Sequence, residues 1–130
     1  MRVVTKEEVI EKIRKGAYGF GSDYPDNKKF REDLRKIGFD FVGTNLVDAQ
    51  LRGADLRGIN FRAAHLQNVG LVGAKIDEDQ IIPLAVAVHL VDLNKITPGM
   101  KWGEVIKEAK RMLEMNGVKI ETVMAKVPVK

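Results

Sequence analysis

From Phe39 to about Ile76 the hydrophobic pattern of this chain repeats every five residues. Phe41, Leu46, Leu51, Leu56, Phe61, Leu66, Leu71 and Ile76 are large and apolar. Two positions before each stand Phe39, Thr44, Ala49, Ala54, Ile59, Ala64, Val69 and Ala74, mostly small or apolar. A period of five fits neither the 3.6 of a helix nor the 2.0 of a strand, and it marks a repeat architecture. The other three positions of each unit, including Asp40, Asn45, Asp55 and Asn60 and Arg52, Arg57 and Arg62, are expected to point outward. Gly43, Gly53, Gly58 and Gly73 recur two residues after the centre, where glycine eases a turn. A chain that turns after every unit coils around its own apolar centre, and successive coils stack at about 4.8 Å.

The flanks have helical periodicity instead. Thr5 and Glu8 form a capping box ahead of the Val9, Ile10, Ile13 stripe, and Gly16 can close that helix. A loop rich in glycine and aromatics follows over 17–26, and Asp26 can cap a second helix carrying Phe30, Leu34 and Ile37. After the repeats, Asp77 is expected as the N-cap of a third helix, with Gln80 in its capping-box position and Pro83 near its start. Thr97-Pro98 is expected to start a last helix that bears Trp102, Val105, Ile106, Ala109, Met112 and Leu113 and ends at Gly117. Val118 to Val129 reads as a strand or extended tail, and Arg2–Val4 is a second short strand candidate. The tail could pair with residues 2–4 or with another subunit.

The segment Asn45 to Phe61, with Ala54-Asp55-Leu56-Arg57-Gly58 and Ile59-Asn60-Phe61-Arg62-Ala63 as its best units, resembles the pentapeptide-repeat family. The resemblance covers residues 39–78; the flanks match no motif. His65, Gly70 and Lys75 depart from the Asp or Asn that the family motif carries at their position. The resemblance implies a mainly β solenoid: a short right-handed quadrilateral β-helix of about two coils. Phe41 would then stack on Phe61, Leu46 on Leu66, Leu51 on Leu71 and Leu56 on Ile76, and the interior would be filled. Two coils make a small core, and solenoid ends need caps. The second helix and the Asp77 helix are expected to plug the two ends. The chain is expected to be one domain over 1–130, with a cap over 1–38, the repeat block over 39–78 and C-terminal helices and strand over 78–130.

The net charge of +4 is unevenly spread, at +3 over 1–36, −3 over 37–93 and +4 over 94–130. Basic flanks can attract anionic partners, here through Lys101, Lys107, Lys110 and Arg111, but Glu104, Glu108 and Glu114 are interleaved with them. The absence of cysteine removes disulfides, thiolate metal sites and a cysteine nucleophile, and points to a reducing cytoplasm. Neither a signal core nor an apolar stretch of spanning length is evident, so no membrane association is expected.

Candidate chemistry is sparse. Gly16–Gly21 lacks the Lys-Ser/Thr of a phosphate loop. His65 and His89 are isolated in the sequence, Ser22 has no activating partner, and Asp40, Asp48 and Asp55 are spread around the coil. No catalytic, cofactor or metal residue is assigned, and the chain is expected not to be an enzyme. Met100, Met112, Met115 and Met124 read as packing residues of the C-terminal segment. Val42, Val47 and Val72 occupy outward positions and need cover, from the last helix or a second subunit. With Trp102 they form the candidate surface for an unknown protein partner or a homodimer. The favoured function is a non-enzymatic protein–protein interaction or scaffold module. Nucleic-acid binding through the basic C-terminal segment is the alternative. The resemblance also brings in mimicry of DNA toward a topoisomerase, which the basic charge and a length of about 10 Å for two coils oppose. Replacing Leu56 by Ala should cost on the order of 2–5 kcal/mol as a buried cavity, read from chemical denaturation; an unchanged melting temperature would refute the register.

Overall fold

The computed structural model describes residues 4–90, 99 and 101–121. Helix α1 spans Lys6–Arg14 and α2 spans Asn27–Lys36. The repeat block follows and ends in strand β1, Lys75–Asp77, a 3₁₀ turn over Glu78–Gln80 and helix α3 over Ile81–Ala87. Helix α4 spans Trp102–Met115 and strand β2 spans Lys119–Glu121. Thr97 and Pro98 lie outside the described residues, as do Arg2, Val3 and Val123 to Val129; the described helix begins after Lys101.

Local signals explain the N-terminal helices. The Thr5 hydroxyl accepts from the Glu8 N–H and the Asp26 carboxylate from the Lys29 N–H, each meeting a donor that the helix start leaves open. Gly16 and Gly38, at φ +72° and +69°, take the left-handed conformation that ends each helix.

Within the repeats the backbone pairs with itself at a spacing of twenty residues. Parallel bridges join Asp40 to Asn60, Asn45 to His65, Gln50 to Gly70 and Asp55 to Lys75. Two N–H···O bonds of 2.8–3.1 Å make each one; the Phe41 N–H donates to the Asn60 carbonyl, for example, and the Asn60 N–H to the Phe39 carbonyl. The chain therefore makes a first pass over 40–59 and a second, stacked pass over 60–79. Among the described residues continuous strands are confined to β1 and β2, because seven of the eight units turn after their centre. In seven turns the central carbonyl accepts from the N–H three residues on, at 2.9–3.2 Å. The third turn residue always has positive φ, as in a type II turn: Gly43, Asp48, Gly53, Gly58, Ala63, Asn68 and Gly73 lie between +59° and +84°.

None of the eight central residues is more than 6% exposed. Phe41 and Phe61 meet edge to face at 6.1 Å between centroids. Side chains one residue before the centre lock the turns from outside: Asp40, Asn45, Gln50, Asp55 and Asn60 each accept from the N–H two residues on. Gly70 departs from this pattern for a steric reason. A Cβ there would lie 2.2 Å from Gln50 Oε1, and one on Gly21 would lie 2.8 Å from Gln50 Cγ. The longer Gln50 side chain occupies the room that both glycines leave.

Both ends of this stack carry main-chain groups that a further pass would have bonded, and the ends differ in polarity. At the lower edge of the first pass carbonyls predominate, and the N-terminal segment supplies mainly donors. Arg14 forks across the Asn45 and Val47 carbonyls at 2.8 and 3.2 Å. Arg31 donates to the Asp55 and Arg57 carbonyls, Lys6 to Val42 and the Gly21 N–H to Arg52. Asn27 behaves like a ladder residue: its amide donates to the Gly53 carbonyl and accepts from the Asp55 N–H, both at 2.8 Å. Thus α1 shares with α2 the capping expected of the second helix alone.

At the upper edge N–H groups predominate and acceptors meet them, although the Ala74 carbonyl also faces outward and accepts from the Lys119 N–H at 2.7 Å. Gln80 Oε1 accepts from the Phe61 N–H, the Ala87 carbonyl from Leu66 and the Gly117 carbonyl from Gly73. Asp77 Oδ2 accepts from the Gly58 N–H at 2.7 Å. This corrects the expectation that Asp77 and Gln80 form a capping box: neither side chain caps a helix start, and both bond the stack instead. Strand β2 lies parallel on β1, with Ile76 beside Ile120. The described part of the C-terminal strand therefore pairs with the repeat block.

Ala63, at φ +59°, is the one turn residue of the seven with neither glycine's freedom nor a polar side chain. Ala63→Gly should stabilise the protein by about 1 kcal/mol, visible as a higher denaturation midpoint, because a left-handed L-residue costs roughly that much.

Candidate interaction surface

The basic N-terminal segment is largely committed to internal contacts. Besides Lys6, Arg14 and Arg31 at the lower edge, Lys12 and Lys29 flank the fully buried Asp33 carboxylate at 3.1 and 3.4 Å. The Tyr18 hydroxyl donates to the same carboxylate at 2.6 Å. Burial alone would raise the Asp33 pKa, but the Tyr18 and Lys12 hydrogen bonds and the charges of Lys12 and Lys29 outweigh it and hold the group below the ordinary aspartate range. Burial, then Asp33 itself, push the Tyr18 hydroxyl far up. Tyr18, Phe20 and Phe30 pack around this anchor at 4.8–5.6 Å between ring centroids. Sequence reasoning passed over Asp33. The available signal was its place between Phe30 and Leu34 on the buried side of α2, where a lone carboxylate needs partners.

The outward arginines are also partly engaged. Arg57 pairs with Asp55 at 2.7 Å, and Arg31 approaches the same carboxylate at 3.8 Å. Burial would raise the Asp55 pKa; the hydrogen bonds from Arg57 and the nearby guanidinium charges lower it. The ladder sets Arg62 over Val42, Gln67 over Val47 and Val72 over Arg52. The three valines thus fall at three different ladder positions, each beside a polar neighbour rather than beside one another. Val42 and Val72 are 38% and 56% exposed and Val47 is half-buried. Val47 sits over Arg14 of α1, and the turn after α4 reaches Val72 through Gly117, where a Cβ would lie 3.0 Å from Val72 Cα.

In α4 the C-terminal half is anchored through buried Ala109 and Leu113, while Trp102 and Ile106 on the same stripe stand 55% and 41% exposed. Lys101, Lys107, Lys110 and Arg111 are all exposed. Glu108 holds the Arg111 guanidinium through both of its oxygens. Met112 is half-buried and Met115 exposed, while Met100 and Met124 lie outside the described residues, as do Lys126 and Lys130. His65 is exposed on the second pass. His89 lies past the end of α3 rather than within it, at φ +63°, with its ring against the Gln67 amide. A groove of about 360 Å³ runs between the second pass, the end of α3 and α4, lined by Leu66, Val69, Leu71, Val88, Leu90 and Leu113 together with Asn68 and Asn116. Among the described residues no cluster of His, Asp and Glu could hold a metal ion. Nor is any described helix long and apolar enough to cross a membrane.

The family model of pentapeptide repeats matches residues 40–78, in eight copies. This segment is a pentapeptide-repeat block. The pentapeptide repeats account for the twenty-residue ladder, four units to a pass, and the helical flanks lie outside the match. No curated protein and no solved structure matches the chain.

Because the pKa values of Asp33 and Asp55 are lowered in the folded state, their stabilisation is complete above the unfolded aspartate value of about 3.9 and is lost as pH falls through the folded values. Stability measured by denaturation should therefore fall below about pH 4. Asp33→Asn should cost about 1–3 kcal/mol at neutral pH and flatten that acid limb, whereas an unaltered acid limb would remove Asp33 from the anchor.

Proposed function

We propose that this chain is a non-enzymatic protein–protein interaction or scaffold module. It is built on a short, right-handed, four-sided pentapeptide-repeat solenoid of about two coils. The carrying observation is the filled interior: the eight central side chains occupy the space inside the stack, each at most 6% exposed. What the repeat block offers a partner is then its outer side chains, held in fixed register by turns and ladder. The same reading takes 1–130 as one domain and, from the absence of cysteine, places it in a reducing compartment such as the cytoplasm. Two observations weigh against nucleic-acid binding: Lys6, Lys12, Arg14, Lys29 and Arg31 are spent on edge carbonyls and Asp33, and Arg111 is held by Glu108. The DNA-mimic reading is weaker still, given a net charge of +4.

Light scattering for solution mass, combined with capture of protein partners on the immobilised chain, tests this reading. A Tyr24→Ser/Val72→Asp double variant alters two exposed outer positions and should keep its stability within about 0.5 kcal/mol per site while capturing less protein. Wild-type chain that captures no protein at physiological salt would overturn the reading.

A further inference from the structure

The apolar stripe of α4 continues past the body of the protein. Trp102, Ile106, Ala109 and Leu113 follow helical spacing, yet only the last two are buried. The N-terminal half of α4 thus presents an indole and an isoleucine beside the region that its C-terminal half packs against. Lys107 and Lys110, one turn apart, run along a flank of this exposed stretch, and Lys101 stands at its start. Among the described residues no carboxylate pairs with Lys107 or Lys110, and Glu108 is taken by Arg111. Glu104 lies on the far side of the helix from Trp102, by its two-residue spacing, and Glu114, one turn past Lys110 on the same flank, lies beyond the exposed stretch.

We propose that the N-terminal half of α4 is a docking surface for an amphipathic helical segment whose apolar stripe is flanked by acidic side chains. The proposal rests on the reading of this chain as a protein-binding module and names the partner's chemistry. Charge complementarity selects that occupant. A second copy of α4 across a twofold axis would set lysines against lysines, which disfavours self-association. The exposed stripe is continuous with the buried Ala109 and Leu113 and so lies beside the body rather than on an outer face, which suits a helix better than a flat bilayer. Tryptophan is also a frequent energetic anchor of protein interfaces.

Trp102 is the single tryptophan of the chain, so its emission reports directly on the site. The probes are a designed helical peptide with a leucine stripe flanked by glutamates, a twin with lysines in their place, and phosphatidylserine/phosphatidylcholine vesicles. The glutamate peptide should shift the emission to the blue, and the lysine twin should not. Lys107→Glu/Lys110→Glu, checked for folding by circular dichroism, should weaken binding about tenfold, and raised salt should weaken it too. No shift with the glutamate peptide, an equal shift with the twin, or an equal shift with the vesicles overturns the proposal. If the charge-reversed variant still captures the wild-type partners, this surface alone fails; if wild type captures none, the interaction-module reading itself fails.

Discussion

A two-pass stack has as much edge as interior, and the need to bond the main chain at those edges governs the rest of the molecule. Inside the stack each ladder group finds its partner twenty residues away. At the ends no further pass exists, and a buried main-chain group without a partner costs about as much as a lost hydrogen bond. The lower end exposes mostly carbonyls and the upper end mostly N–H groups, so they call for different chemistry. Cations and amides of the N-terminal segment meet carbonyls; carboxylate, amide and carbonyl oxygens of the C-terminal segment meet N–H groups.

This division explains why the flanks are charged as they are. Arg14 and Arg31 serve units centred on Leu46 and Leu56, two units apart along the first pass, and each spans two carbonyls. Their planar forks suit that task better than a lysine's point charge would. Val9, Ile13, Phe30 and Leu34 are buried together with the first-pass centres, so α1 and α2 cover apolar and polar groups of the edge at once. The buried Asp33, held between two lysines and Tyr18, ties both helices and the intervening loop together. A positive segment that could pass for a nucleic-acid surface is thereby mostly a cap.

The interaction surfaces follow by subtraction. Ladder stacking alternates valines with arginine or glutamine and keeps the valines apart, which disperses the ring that the linear pattern suggested. What remains is uneven. Tyr24 is 91% exposed on the loop before α2, Met115 is 72% exposed at the end of α4, and Trp102 with Ile106 form the longest apolar stretch left open on a described helix. A rigid repeat block with its core filled can position such side chains without any pocket of its own.

The five-residue period, its eight centres and the helix caps at Thr5 and Asp26 were legible in the chain, because each depends on near neighbours or on a regular interval. Long-range contacts were not legible. Asp77 and Gln80 carry a capping-box spacing, yet the part-buried N–H groups of Gly58 and Phe61 in the stack take their oxygens instead. Gly70 looked like drift in the motif and is instead room for Gln50. Asp33 gave no local sign that it would sit between Lys12 and Tyr18. The sequence by itself determined the repeat and the direction each side chain faces, because a turn every five residues is a local property. Only the tertiary structure decided how the two edges are closed and which charges stay free, because a main-chain group at an edge takes its partner from whatever distant segment brings the opposite polarity to it.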